Sequence, residues 1–281
     1  MSRANTRVPL RVGISTCPND TFAFAALLEG RIEAPPMDFR LEDVEALNEG
    51  LMEGRFDVAK ASFHAALHLA ADYCVLPVGS ALGHGVGPLL LKASADLPDL
   101  PRAEDRVLCP GEWTTATLLY RLFGGGASEP EQVVFSEIMP ALVRGEAEYG
   151  VVIHEGRFTY GEHGLLCALD LGSRWETETS APLPLGGILA RRSLGQQALA
   201  EISAAIRASV EVARADPGSA LPAMRRYAQE FDDDVLREHV RLYVNETTLD
   251  LGDEGRSALE VLEKTARDAG LHRGDQSLLF A

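Results

Sequence analysis

A histidine at the end of a run of β-formers is the residue in this chain best placed to move a proton. Gly150-Val151-Val152-Ile153 lead into His154, and Glu155-Gly156 breaks the pattern straight after, which predicts a short buried strand with the imidazole at its carboxyl end. Ligands of open α/β sheets lie outside the carboxyl ends of the strands. An imidazole titrates near pH 6.5 when unperturbed, and modest burial keeps it neutral and able to accept a proton at pH 7. His154 is therefore the candidate general base. The same residues also fit a histidine that braces a loop through a hydrogen bond.

Lys60 ends the run Phe56-Asp57-Val58-Ala59 and is followed by Ala61-Ser62. An ammonium after an apolar run needs an anionic partner, either a carboxylate such as Asp57 or Glu53 or the carboxylate of a ligand. Thr114 and Thr115 precede a helical pattern, Ala116 to Phe123, that stops at Gly124-Gly125-Gly126. Capping explains one threonine, and the N–H groups of a helix start also make an anion site. Asn19 and Thr21 stand in the same relation to a helix over Phe22–Glu29, closed by Gly30.

The elements that must position these residues alternate between strand and helix. Leu10–Ser15 reads as the first strand and Val44–Met52 as a helix ended by Gly54. Tyr73–Val78, Arg106–Cys109, Val133–Phe135 and Leu165–Leu171 read as strands, and Ile138–Arg144 as a helix. Leu51-Met52-Glu53-Gly54-Arg55-Phe56-Asp57 matches the spacing of Leu142-Val143-Arg144-Gly145-Glu146-Ala147-Glu148, and each leads into a strand that ends at a candidate site residue. That similarity predicts two related α/β lobes, the larger from 1–93 plus 186–281 and the smaller from 94–185. In Gly83-His84-Gly85-Val86-Gly87-Pro88 the spacing is wrong for a dinucleotide fingerprint, leaving close backbone approach or tight reversal, with His84 a loop residue. Pro182 to Ala190 returns the chain to the first lobe past a hinge at Gly186-Gly187. Helical patterns over 195–215, 217–242 and 254–269, with a loop at 245–253, read as scaffold.

Composition bounds the partners. The 281 residues carry a net charge of -16, which excludes nucleic acid and anionic membrane surfaces as partners and leaves a small anionic ligand. Cys17, Cys74, Cys109 and Cys167 form no C-x-x-C pair, so neither a metal centre nor a redox motif is signalled, and reduced, mostly buried thiols are expected. MSRANTRVPL lacks a signal peptide's apolar core, which places the protein in the cytoplasm.

Taken together, Ser15-x-Cys17-Pro18-Asn19-Asp20-Thr21-Phe22, Lys60-x-Ser62, Gly83-x-Gly85-x-Gly87-Pro88, Thr114-Thr115-Ala116, Ile153-His154-Glu155-Gly156-Arg157-Phe158-Thr159-Tyr160, Pro184-Leu185-Gly186-Gly187 and Leu242-Tyr243-Val244-Asn245-Glu246 resemble the 1,4-dihydroxy-6-naphthoate synthase family. The order is kept from about Ile14 to Gly270. The resemblance implies a two-lobed fold of the type II periplasmic-binding-protein kind with the ligand in the cleft. It implies a lyase of the futalosine route to menaquinone, acting on cyclic dehypoxanthinyl futalosine to give the naphthoate and dihydroxyacetone, without metal or organic cofactor. Carried over residue by residue, it makes His154 the proton acceptor and Lys60, Ala61, Ser62, Thr114 and Thr115 substrate contacts. Ala61 departs from the larger residue expected in the middle of Lys60-x-Ser62. Asn19 and Arg157 belong to the same motifs, either touching substrate or bracing loops, and Glu155 and Glu162 are near enough in sequence to pair with Arg157. Two other readings are a sibling chorismate dehydratase, disfavoured by the Cys-Pro-Asn-Asp and His-Glu-Gly-Arg-Phe motifs, and a solute receptor that closes on an anion without chemistry.

Overall fold

The computed structural model describes residues 8–154, 156–227, 232–272, 274 and 276–281. Its strands, in chain order, are β1 (Leu10–Ser15), β2 (Met37–Glu42), β3 (Val58–Ser62), β4 (Tyr73–Val75), β5 (Ala81–Gly83), β6 (Leu89–Lys92), β7 (Val107–Cys109), β8 (Glu131–Gln132), β9 (Tyr149–Val152), β10 (Leu166–Asp170) and β11 (Leu183–Arg191). They form two sheets. The first has the order β2-β1-β3-β11-β4, with β5 also on β11, and the second the order β10-β6-β9-β7-β8.

One arrangement is used twice. In the first sheet β1 lies parallel to β2 and β3, and β11 runs antiparallel beside β3. In the second, β7 lies parallel to β8 and β9, and β6 runs antiparallel beside β9. The matching heptapeptides are the local trace of this repeat. Helix Val44–Met52 leads to β3 and helix Phe135–Val143 to β9, and each stops at a glycine in the left-handed region, Gly54 at φ +72° and Gly145 at φ +70°. The closing bonds correspond as well, Arg55 N donating to Gly50 O at 2.7 Å and Glu146 N to Ala141 O at 2.9 Å.

Burial of apolar faces fixes the layers. Helix Gln196–Ala215 presents Leu199, Ile202, Ile206 and Val210, the spacing of one helix face, to Val12, Ile14, Ile188 and Ala190 of the first sheet. Trp175, Tyr120, Tyr149 and Phe63 are fully buried in a second cluster. Gly186 and Gly187 lie inside the β3–β11 ladder, where a Cβ on Gly186 would come 2.5 Å from Ala61 O. Close packing in a sheet, rather than a free hinge, accounts for this pair.

The chain enters the second sheet between β5 and β6 and leaves it through helix Leu171–Thr179 and the residues before β11. Leu89–Lys92, expected with the first lobe, pairs with β9 and β10, and Leu183 and Pro184, expected with the second, pair with β5 in the first sheet. A strand belongs to the sheet that bonds it, and apolar patterning does not reveal which that is. The two crossings touch. A Cβ on Gly87 would lie 2.2 Å from Gly172 Cα, while Gly85 turns the chain at φ +68°, so close approach and reversal both occur, at different glycines. Gly87→Ala is expected to cost roughly 1–3 kcal/mol as overpacking, because the obstacle is backbone with no side chain to swing aside. Urea midpoints of the two proteins check this, and an unchanged midpoint would show that the crossing separates at little cost.

Other elements shift from expectation. The strand expected at Val133–Phe135 lies at Glu131–Gln132, because Val134 takes the extended cap of a helix that begins at Phe135, ahead of the expected Ile138 start. Helix Phe22–Glu29 starts at Pro18, whose fixed φ suits a first turn, and breaks at Phe24. The 217–242 helix is a turn at Pro217–Ala220 followed by helices Leu221–Tyr227 and Asp233–Tyr243, with residues 228–231 outside the described set. Asp232 caps the second, accepting from Asp234 N and Val235 N. The loop expected at 245–253 holds a short helix, Glu246–Leu249, started by the Asn245–Thr248 capping box, and Gly252 opens the last helix, Gly252–Asp268. Met37–Glu42, with charged residues at alternate positions, gave no apolar run to read, and parallel pairing with β1 makes it a strand.

Candidate active site

A cavity of roughly 90 Å³ lies between the carboxyl ends of the two sheets. From the first-sheet side it is lined by Ser15, Cys17, Asn19, Asp20, Lys60, Ala61 and Ser62, and from the second by Thr114, Thr115, Ala116, Ile153 and His154. His239 and Tyr243 also line it, from helix Asp233–Tyr243. Of the residues carried over from the sequence, only Arg157 is absent from the lining among the described residues. Its Nη1 donates to Gly87 O at 2.7 Å and its Nη2 to Asp170 at 2.9 Å, so it ties the first crossing to the end of β10. Asp170 takes the role assigned to Glu155 or Glu162, and Glu155 itself lies outside the described residues.

Lys60 is buried on β3, and the parallel pairing of β3 with β1 sets it beside the turn that follows β1. Its Nζ donates to Asp20 Oδ1 at 2.7 Å and to Gly79 O at 3.3 Å. The expected partner Asp57 is instead taken by Arg11 and Arg191. Asp20 also accepts from Ser15 Oγ at 2.5 Å and Asn19 Nδ2 at 3.0 Å. The ammonium therefore enters the cleft already matched by a carboxylate, with one of its three donors left over. Beside it, Asn48 Nδ2 donates to Ser62 Oγ at 3.3 Å, which leaves the Ser62 proton free to donate.

Thr114 caps helix Thr115–Phe123, its Oγ1 accepting from Thr117 N at 3.2 Å and donating to Gly111 O at 2.8 Å. Thr115 Oγ1 donates to Leu185 O at 2.7 Å, joining this helix to β11. Both hydroxyls are thus occupied within the fold. What the pair offers a ligand is backbone, the N–H groups of a helix's first turn that have no intrahelical acceptor.

His154 follows β9 in a left-handed turn, φ +55°, uncommon for any residue with a Cβ. Cys17 Sγ lies 3.2 Å from Nε2 and 3.4 Å from Nδ1, and the Phe135 ring meets the imidazole edge-on at 5.2 Å. Burial pushes the imidazole down to about 4, Asp20 working against that shift and Lys60 with it. The group is a neutral base at pH 7, as general-base chemistry requires. His239, fully buried, is pushed well below its ordinary value by burial, then by His154 and Lys60.

The same sign holds for His64, which burial brings to about 3, and for His68 and His272. Each holds a proton less readily in the folded protein than in the unfolded chain, where it titrates near pH 6.5, so the unfolded chain binds the extra protons as pH falls. Stability is complete above about 6.5 and is lost progressively toward the folded values of about 4 and 3. At pH 5 the loss is about 2 kcal/mol for each histidine that stays fully neutral. Urea midpoints are expected to fall steadily from pH 7 to pH 5, where carboxylates contribute little. A constant or rising midpoint would contradict the assignment.

Asp20 and Cys17 stood in the Ser15 to Phe22 motif without a role of their own, and only the fold brings them to Lys60 and His154. His239 lies in a stretch that reads as scaffold. The usable signal was its register: Leu236, Val240 and Tyr243 mark the apolar stripe of helix Asp233–Tyr243, and His239 falls within it. Cys17, Cys74 and Cys109 are buried thiols as expected, whereas Cys167 is exposed. Among the described residues no group of three or more His, Cys, Asp or Glu could hold a metal ion, and no helix is long and apolar enough to cross a membrane.

Residues 10–268 match a family model described as menaquinone biosynthesis. A protein of Thermus thermophilus named 1,4-dihydroxy-6-naphthoate synthase is 46% identical over 272 residues, 96% of this chain and 98% of the relative. A crystal structure of an Archaeoglobus fulgidus protein superposes with a TM-score of 0.88 at 31% identity, covering 94% of this chain and 98% of that one. The alkanesulfonate-binding protein of Xanthomonas axonopodis gives a TM-score of 0.69 at 12% identity over 99% of this chain and 100% of its own, a likeness of fold. The two-lobed periplasmic-binding-protein-like architecture expected from the motifs is the one the chain adopts.

Proposed function

Since the chain belongs to the menaquinone-biosynthesis family and, within it, to the 1,4-dihydroxy-6-naphthoate synthases, we propose that it cleaves cyclic dehypoxanthinyl futalosine to the naphthoate and dihydroxyacetone, with His154 as the base. The observation that carries this reading is the neutral imidazole of His154 facing a matched Lys60–Asp20 pair across one cavity. Forming the naphthoate requires removal of a proton and rupture of one C–C bond, with aromatisation as the driving force. One positioned base and a set of fixed donors meet that requirement.

The roles divide by what each group has left to give. A substrate carboxylate belongs at the amino end of helix Thr115–Phe123, on the backbone N–H groups of Thr115 and Ala116, because the Lys60 charge is already balanced by Asp20. The remaining Lys60 donor and the Ser62 hydroxyl then serve neutral oxygens of the substrate. Such a protein acts on a soluble intermediate and belongs in the cytoplasm.

Purified protein given cyclic dehypoxanthinyl futalosine, with no added metal or cofactor, is expected to release naphthoate and the three-carbon fragment in equal amounts by mass spectrometry. Saturable binding with the compound recovered unchanged would favour a receptor, and conversion of chorismate instead would favour the sibling dehydratase.

A further inference from the structure

His239 sits in the cleft and has no part in the base chemistry assigned above. We propose that it is a second substrate-contacting residue, held as the Nε2–H tautomer so that a bare Nδ1 accepts a hydrogen bond from a ligand hydroxyl. The tautomer follows from a chain of donors and acceptors that starts at the ion pair. Asp20, paired with Lys60, is a carboxylate and can only accept. The Asn19 atom that lies 3.0 Å from it must therefore be the amide nitrogen, which turns Asn19 Oδ1 the other way. That oxygen is 3.0 Å from His239 Nε2, and an oxygen acceptor needs a proton there. A neutral ring has one proton, so Nδ1 keeps its lone pair.

Nδ1 is buried and has no hydrogen-bond partner among the described residues, although its ring lines the cavity. A buried acceptor left unpaired costs free energy, and such atoms are uncommon outside sites that something else completes. The ring is also held in place: Tyr243, one helical turn on, packs on it at 4.5 Å, and the His154 ring lies 6.1 Å away, inclined by 31°. A fixed acceptor beside the base suits a donor on the substrate. The choice of a hydroxyl of cyclic dehypoxanthinyl futalosine as that donor rests on the function proposed above, but the tautomer does not.

Two substitutions separate ligand contact from bracing. The amide of Gln reaches the level of Nε2 and keeps the bond to Asn19 while removing the acceptor at Nδ1. The amide of Asn stands at the level of Nδ1 and does the reverse. His239→Gln is expected to lower kcat/KM by about 10- to 100-fold, the loss of one buried hydrogen bond to substrate, and His239→Asn to lower it less. The opposite order would overturn the proposal and leave His239 as a brace for Asn19. Nitrogen-15 spectra of histidine-labelled wild-type protein supply a readout independent of turnover and of how the variants fold. They are expected to show His239 Nε2 protonated and Nδ1 bare, with the Nδ1 resonance moving when cyclic dehypoxanthinyl futalosine is added. A protonated Nδ1 would overturn the tautomer, and an Nδ1 resonance unmoved by bound compound would overturn the contact. Absence of turnover by the wild type would defeat the assigned reaction, while the spectrum still decides the tautomer.

Discussion

Replacing His154 by Ala is expected to lower kcat by about 100- to 10,000-fold, the range over which a positioned general base contributes. The position makes the effect separable from folding. The imidazole stands half-buried in a turn after β9, and truncating it removes contacts with Cys17, Phe135 and the His239 ring while leaving the apolar clusters filled. The left-handed backbone at φ +55° is a mild liability for Ala too, so His154→Asn, a residue that tolerates that region better, is the companion variant. Both are expected to bind substrate nearly as well as the wild type and to turn it over slowly, which steady-state kinetics and equilibrium binding measure together. A loss below tenfold with binding intact would remove His154 from the role.

The second large effect is on stability. Lys60→Met is expected to destabilise the protein by about 3–5 kcal/mol, because it leaves Asp20 charged and buried with only Ser15 and Asn19 to compensate it. Adding Asp20→Asn to Lys60→Met removes the orphaned charge and is expected to recover much of the loss. Urea titrations of the four proteins of this double-mutant cycle give the coupling directly. Independent, additive effects would mean that the pair is not a coupled unit and that Lys60 is available to bind a carboxylate outright.

These two residues also mark where the sequence could be read and where it could not. His154 was legible because a strand that ends in a histidine is a local pattern, and the matching stops at Gly54 and Gly145 were legible because helix ends need a left-handed residue. The Lys60 partner was not. Asp57 was near in sequence, but Asp20 is brought close by the parallel pairing of β1 with β3, and no local rule encodes strand order. His239 meets Asn19 through the packing of a carboxyl-terminal helix on the first turn after β1, and Arg157 meets Gly87 and Asp170 where the crossings converge. Thr114 and Thr115 stand at a helix start as the pattern predicts, yet their hydroxyls serve the fold. Pattern located the elements; partners across sheets came only with the topology.

The measurement that bears most directly on the account is the pH dependence of kcat/KM, which reports the free enzyme's essential base. Folding is followed in the same buffers by circular dichroism, so that loss of activity is separated from acid unfolding. With His154 held down to about 4, kcat/KM is expected to stay level from pH 8 to below pH 6 and to fall only where the imidazole protonates or the fold fails. An acid limb centred near pH 6.5 in folded protein would show the essential imidazole titrating as in water and would contradict a base held neutral by burial.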